Sequence, residues 1–382
     1  RYIQLNKEIF NVKVNDNKKL DGIILVDFFD WNPFIFFWSI LSNFLKKREN
    51  LQIKFFYFPI YHRYTENFFF LKRRLIKIYD SFGCTLGITS LNKFLTSSQK
   101  KNYERLFKTI NSKDDLLKYK FKSILIGDLI YDTVLRKFRL PTFDIDDPRV
   151  KKSFFEAHLI YDLVENYFEK NYVKYLIVSD TVYNSFGVIT RLAERKKIKI
   201  LHLATLGKGC TNLRLKNYNP KIKSTRNPYY NYKKIFSNLN DEEKQNGLLL
   251  GEELVKKRVV GDVNSGIEYL SKSPFAKSSN PNSNLFPKES FQVLLALHNF
   301  FDNPHKYRSF YYDDYMDWAL NTLDILSKKN INIYLKWHPI SFKYSSDVHA
   351  KKIISNKIKN LKNVKIIFDE LNYTDLINNG LS

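Results

Sequence analysis

Apolar residues in this chain fall into short unbroken runs, separated by longer stretches in which they recur every three or four positions. The first run, Gly22-Ile-Ile-Leu-Val-Asp-Phe-Phe29, is the continuous kind expected of a parallel strand buried on both faces. Asp30, Trp31, Asn32 and Pro33 then read as a turn, with Asn32 as helix N-cap and Pro33 at the first helical position. Phe34–Lys47 predicts a helix and Leu51–Phe58 a second strand, which is strand, helix, strand at βαβ spacing. The strand reading recurs at Lys122–Gly127 and at Tyr175–Ser179, where a helix over Ser185–Lys196 leads to a strand over Lys199–Leu203. Alternation of this kind predicts a doubly wound α/β sheet with helices on both faces.

Residues 204–235 show no clear period, and a charged helix is expected over Asp241–Arg258. The stretch 271–287, dense in Ser, Asn and Pro, reads as a linker. It divides the chain into an amino-terminal domain, 1–270, and a carboxyl-terminal domain, 288–382. The rhythm restarts there, with strands over Phe291–Leu297, Ile331–Lys336 and Val364–Phe368 and helices over Asp313–Lys328 and Asp347–Ile358. Three strands are fewer than an open α/β domain usually has. Tyr373–Asn379 reads as a short helix leading to a further strand, and the chain opens on Arg1 rather than Met, so the expectation is a truncated second domain.

Composition changes this picture in three places. A formal net charge of +24 admits nucleic acid, an anionic membrane surface or compositional drift as its cause. The Lys, Asn, Ile and Phe excess is spread along the whole chain, and no RNA-recognition signature, zinc finger or recognition helix is present, which disfavours nucleic acid. A positive face toward anionic lipid or a phosphorylated substrate is the expectation. Two cysteines, Cys84 and Cys210, are too few for a disulfide framework; both read as small buried residues in a reducing cytoplasm. The most apolar stretch, Trp31–Leu45, is too short to span a bilayer and follows a strand-like run rather than a basic leader. The aromatic cluster Trp31–Trp38 reads as core, although its two-sided apolarity also suits a helix touching lipid.

Candidate chemistry gathers after the strands of the second domain. In Tyr334-Leu-Lys-Trp-His-Pro339 a strand delivers Lys336 and His338 to its carboxyl end, and Pro339 ends the ladder. Ligands of open α/β sheets sit at that edge, where Lys and imidazole are charge-assisted donors to a phosphate. The plainer alternative is a strand-ending turn with a surface Lys and a capping His. The loop after the preceding strand carries His298, Asp302, His305 and Arg308. It is read as shaping a nucleotide-phosphate pocket or as a hydrogen-bonded turn, since its spacing matches no metal site. For a general base, Asp27 and Asp30 follow the first strand and Asp180 a later one; Asp128 and Asp132 are placed similarly. Each also has a structural reading, including Arg191 paired with a buried carboxylate. His62, His158, His202 and His349 read as core or surface residues.

The ordered set Leu297–His305, Asp313–Trp318 and Tyr334–Pro339, preceded by Ile126–Asp132, Ser179–Ala193 and Arg258–Tyr269, resembles the capsular and surface polysaccharide glycosyltransferases of the GT-B type. The resemblance spans most of the chain. It implies two Rossmann-like domains facing a cleft, with transfer of a sugar from a nucleotide-sugar donor to a surface polysaccharide or lipid-linked glycan acceptor. It further implies that His338 binds the donor phosphate, that Glu370–Asp375 approaches the base or ribose, and that neither metal nor other cofactor takes part. Whether the donor is CMP-, UDP- or GDP-linked stays open. A polyol-phosphate transferase or sugar-nucleotide epimerase of similar fold, and a non-catalytic scaffold of a polysaccharide assembly complex, are the alternatives. The expected location is cytoplasmic, peripheral at the inner membrane face.

Overall fold

The computed structural model describes residues 1–10, 20–59, 65–206, 212–217, 232–262, 291–306, 310–329, 331–338 and 347–367. The chain separates into two compact units. The first comprises Arg1–Lys137, Asp144–Thr205 and Leu213–Arg226; the second comprises Phe138–Phe143, Leu206–Asn212 and Asn227–Ser382. The expected linker, 271–287, lies outside the described residues.

The first unit is built on a sheet of β1 (Ile23–Asp27), β2 (Gln52–Tyr57), β3 (Cys84–Thr89), β6 (Val173–Val178), β7 (Lys199–Leu206) and β8 (Asn212–Asn217), in the order β3-β2-β1-β6-β7-β8. The four pairings from β3 through β7 are all parallel. All five residues of β1 are buried, as a central strand covered on both faces requires. Side-chain alternation sends Ile24 and Val26 into one core, shared with Phe34, Ile35 and Trp38 of α2 (Asn32–Glu49) and Leu75 and Tyr79 of α3 (Thr65–Ser81). α1 (Tyr2–Phe10) packs beside α3 on this side. Leu25 serves the other face: a side chain added at Gly87 would meet both Leu25 and Tyr167 of α7 (Pro148–Lys170). The parallel α/β expectation therefore holds, with helices on both faces.

Three local expectations are corrected, and one helix was not foreseen. Lys122–Gly127 is not a strand of the parallel sheet. Instead β4 (Lys120–Phe121) and β5 (Ile124–Leu125) form a small antiparallel hairpin. Its two loop residues, Lys122 and Ser123, both take positive φ (45° and 70°), the backbone a two-residue primed turn demands. Gly127 then opens α6 (Gly127–Phe138), and only glycine fits there: an added Cβ would lie 1.6 Å from the Leu116 carbonyl oxygen. Leu116 belongs to α5 (Lys113–Lys118), which follows α4 (Ser97–Phe107). At α2 the N-cap position is Trp31, without a side-chain cap, so Asn32 already lies inside the helix and Pro33 follows it. The helix expected from Ser185 opens instead with a π-helical turn, Tyr183–Gly187, continuing as α8 (Val188–Arg195). The longest helix among the described residues, α7, was not foreseen, although Asp147 caps it and Pro148 begins it.

The second unit contains a three-stranded parallel sheet, β11 (Val364–Ile367), β10 (Asn332–Lys336) and β9 (Gln292–Ala296), with β10 central. Leu295, Ile333 and Leu335 pack with Met316, Ala319 and Leu323 of α11 (Tyr315–Ser327) and Ala350 and Ile354 of α12 (Asp347–Ile358). α9 (Tyr232–Ser237) and α10 (Asp241–Val259) precede the sheet in sequence. α10 opens on a capping box between Asn240 and Glu243, and its acidic first turn and basic last turn suit the helix dipole. Among the described residues, no helix is long and apolar enough to cross a membrane.

Candidate functional site

In the first unit β2 and β3 extend to one side of β1, while β6 and β7 extend to the other. The carboxyl ends of β1 and β6 thus flank the point where strand order reverses, the usual ligand crevice of an open α/β sheet. Asp27 ends β1 and is completely buried. Its Oδ2 accepts from the Ser179 backbone N–H at 2.7 Å and from the Ser179 hydroxyl, just past β6. Oδ1 has no hydrogen-bond partner and neither has the Trp38 indole nitrogen, although Trp38 lies near enough to favour the charged carboxylate. Burial outweighs these donors and raises the Asp27 pKa to about 7, with the Asp180 charge adding to the rise. Tyr79 ties down the adjoining backbone, donating to the Asp27 carbonyl at 3.1 Å and accepting from the Phe29 N–H at 3.0 Å.

Asp180 is half-buried and its Oδ1 accepts from the Thr181 N–H at 2.8 Å; Asp30 is exposed. Beyond them Tyr183 holds φ at 60°, a left-handed conformation uncommon for a bulky residue, where the π-helical turn begins. Asn184 pins that turn, its N–H donating to Thr133 at 2.8 Å and its Nδ2 to the Ser153 carbonyl at 3.0 Å. Strained backbone and π-turns concentrate at functional sites. Ser179, Trp38, Tyr183 and His202, whose Nε2 lies 3.3 Å from the Ser179 carbonyl, were not singled out for this crevice in the sequence. The one available signal was the position of Ser179 at a strand's end.

Other candidates resolve into structural roles. Arg191 grips Asp128 through both nitrogens at 2.6 and 2.7 Å and also donates to the Leu125 carbonyl. The buried carboxylate expected for Arg191 is therefore Asp128. Asp132 is buried on α6. His158 is enclosed by Tyr103, Tyr119, Phe121 and Phe154, with its pKa lowered by burial to about 4. Its Nδ1 donates to the Phe154 carbonyl at 2.8 Å, which leaves Nε2 to accept from the Tyr119 hydroxyl at 2.9 Å. Cys84 is buried, as expected.

In the second unit the strand register builds a paired site. Ala296 of β9 lies opposite Lys336 of β10, and the Leu297 N–H donates to the Lys336 carbonyl at 2.8 Å. His298 and His338, each two residues past its strand, consequently meet with ring centroids 5.8 Å apart. Tyr315, at the start of α11, stacks on His298 at 4.1 Å. His298 Nδ1 lies 3.1 Å from the Asn299 carbonyl; a carbonyl only accepts, so Nδ1 carries the hydrogen and Nε2 is left for a ligand. The His338 pKa is lowered by burial and by the neighbouring His298, against a smaller opposite effect of Asp302. Lys336 is buried at the strand end. Asp302 sits in a turn, its N–H donating to the Asn299 carbonyl and its Oδ1 accepting from the Asn303 N–H, both at 3.1 Å. His305 follows in the same loop, half-buried. Asp314 caps α11 through the Asp317 N–H at 2.8 Å and accepts from Thr142 at 2.6 Å. Arg308, Pro339 and Glu370 lie outside the described residues. Among the described residues, no group of three His, Cys, Asp or Glu is placed to hold a metal ion.

Fold and site together define an α/β chain with polar and ionisable groups at the carboxyl edges of two parallel sheets. Comparison with known proteins finds no matching protein family, no matching curated protein and no matching solved structure.

Proposed function

We propose that the chain is a nucleotide-sugar-dependent glycosyltransferase of GT-B arrangement, acting on a surface polysaccharide or lipid-linked glycan acceptor. The observation that supports this best is the pairing of His298 and His338 beside Lys336 at one sheet edge. Two imidazoles and an ammonium there suit the diphosphate of a donor and the charge that develops on it as the sugar departs. With Nδ1 of His298 committed to a carbonyl, Nε2 is the ring nitrogen left to reach the same phosphate. On the acceptor side Asp180, half-buried beside the strained Tyr183 turn, is assigned as general base. The enclosed Asp27 holds Ser179 and through it the Asp180 segment, as a positioning residue.

A thermal-shift series against CMP, CDP, UDP and GDP tests the donor site. One nucleotide is expected to raise the melting temperature, and His338→Ala to abolish that rise while leaving the unliganded melting temperature close to wild type. If no nucleotide stabilises the chain, the donor assignment fails and the scaffold alternative takes its place.

The pH dependence has a defined sign. The His338 pKa is depressed in the free protein, and a bound phosphate raises it, so binding takes up a proton. Affinity for the selected nucleotide is expected to rise as pH falls from the neutral range toward 6, by up to about tenfold per pH unit for each proton taken up. Titration calorimetry in buffers of different ionisation enthalpy measures that uptake directly; zero uptake contradicts the assignment.

A further inference from the structure

α2 carries apolar side chains on both sides. Phe34, Ile35, Trp38 and Leu45 are buried in the first unit's core. On the opposite side Phe36, Ile40 and Phe44 recur every fourth residue and are 49%, 62% and 59% exposed. The same row continues into Arg48, with Lys47 beside it, both exposed in the basic last turn. α1 adds to this side, since Tyr2 packs edge-to-face on Phe36 at 4.5 Å and shares a 2.9 Å hydrogen bond with Ser39. It repeats the pattern, with Leu5 and Ile9 one turn apart and both about half exposed, and Arg1 exposed just before the helix. Single exposed apolar residues are ordinary, but two adjoining helices each ordering theirs into a row ending in a cation are not.

We propose that the α1–α2 face docks onto an anionic lipid bilayer. Phe36, Ile40 and Phe44 enter the boundary between headgroups and acyl chains, while Arg48, Lys47 and Arg1 engage lipid phosphates. An apolar stripe flanked by Lys and Arg is the pattern of a helix lying in the plane of a membrane interface. Charge selects this occupant over a second copy of the chain: at a formal +24 two copies repel, whereas an anionic surface attracts. Nearby acids are few. Glu8 is engaged by Gln4 at 2.8 Å, Glu49 beside Arg48 pairs with Lys174 at 2.7 Å, and Asp30 precedes α2. The inference uses no residue of the proposed donor site, so it stands or falls separately from the catalytic reading.

The test is co-sedimentation of the whole chain with phosphatidylcholine vesicles, with and without phosphatidylglycerol. Wild type is expected to bind the phosphatidylglycerol vesicles. The triple variant Phe36→Ser, Ile40→Ser, Phe44→Ser is expected to need about a hundredfold more lipid, since three inserted side chains are lost. Lys47→Glu with Arg48→Glu is expected to weaken binding about tenfold. General charge attraction is separated from insertion by Ile40→Trp, whose added emission should shift to the blue and be quenched by brominated lipid. These positions are exposed, so circular dichroism should show unchanged folding. Equal binding by wild type and triple variant, or an Ile40→Trp signal indifferent to brominated lipid, overturns the proposal. So does a lipid-free wild-type dimer that the triple variant disperses, which would assign the face to a second copy.

Discussion

Replacing Asp27 with asparagine is expected to flatten the stability of the first unit against pH between about 4 and 7. In the folded protein burial raises this carboxyl's pKa from 3.8 to about 7, so within that window the folded state keeps a proton that the unfolded chain has released. Stability therefore falls as pH rises through the window, because the unfolded state binds fewer protons there. Below it both states are protonated, and above it both are ionised with the folded state bearing the desolvation cost. A shift from 3.8 to about 7, at about 1.4 kcal/mol per unit, amounts to about 4 kcal/mol. The asparagine oxygen can still accept from Ser179, but its amide takes the place of Oδ1 and faces the Trp38 indole N–H, a clash of donors. That clash costs about 1–3 kcal/mol at every pH, so the slope rather than absolute stability is the decisive quantity. Urea unfolding of both proteins at pH 5, 6, 7 and 8 measures it. Equal slopes would show that Asp27 is ionised throughout and the crevice is wetter than its burial implies.

Removing the partner of Asp128 should have an effect of similar size and different character. In Arg191→Met the carboxylate stays buried, with the Leu129 N–H at 3.0 Å still donating to it. Leaving one half of a buried pair unmatched costs about 3–5 kcal/mol, whereas replacing both halves with apolar residues is often nearly neutral. Arg191→Met is thus expected to destabilise the first unit strongly, and Asp128→Leu with Arg191→Met to recover much of the loss. Hydrogen exchange of α6 and α8 amides is the appropriate measurement, because it reports on this unit regardless of how the second unfolds. If the double variant is no better than the single one, the pair contributes geometry rather than charge compensation.

These two carboxylates show where sequence reasoning reached and where it stopped. Asp27, Asp30, Asp128, Asp132 and Asp180 all looked alike, as acids placed just after apolar runs. The structure separates them by what surrounds each one. Asp128 is matched by Arg191, Asp27 is sealed against Ser179, Asp30 is exposed and Asp180 lies between. Burial and partnership depend on residues 63 and 152 positions away in the chain, which no local pattern encodes. The second unit was more legible because its two histidines each lie within two residues of the end of a predicted strand. That they face each other follows from β9 and β10 being neighbours in parallel register.

The sequence by itself determined the elements whose cause is local. A continuous apolar run predicted β1, because a strand buried on both faces needs apolar residues at nearly every position, and shorter apolar stretches predicted β2, β6, β7, β9, β10 and β11. Helices α2, α10, α11 and α12 were expected as well, α2 from the turn and Pro33 at its start and α10 from its charged composition. β3 escaped notice since Thr85, Leu86 and Gly87 leave it only partly covered at the sheet's edge. Lys122–Gly127 misled because a two-residue turn with positive φ leaves too little apolar pattern to distinguish a hairpin from a strand. The tertiary structure alone decided strand order, and with it the meeting of Asp27 with Ser179 and of His298 with His338. Sheet order is a long-range choice among packings, in which side chains far apart in sequence become neighbours only after both faces of the sheet are covered.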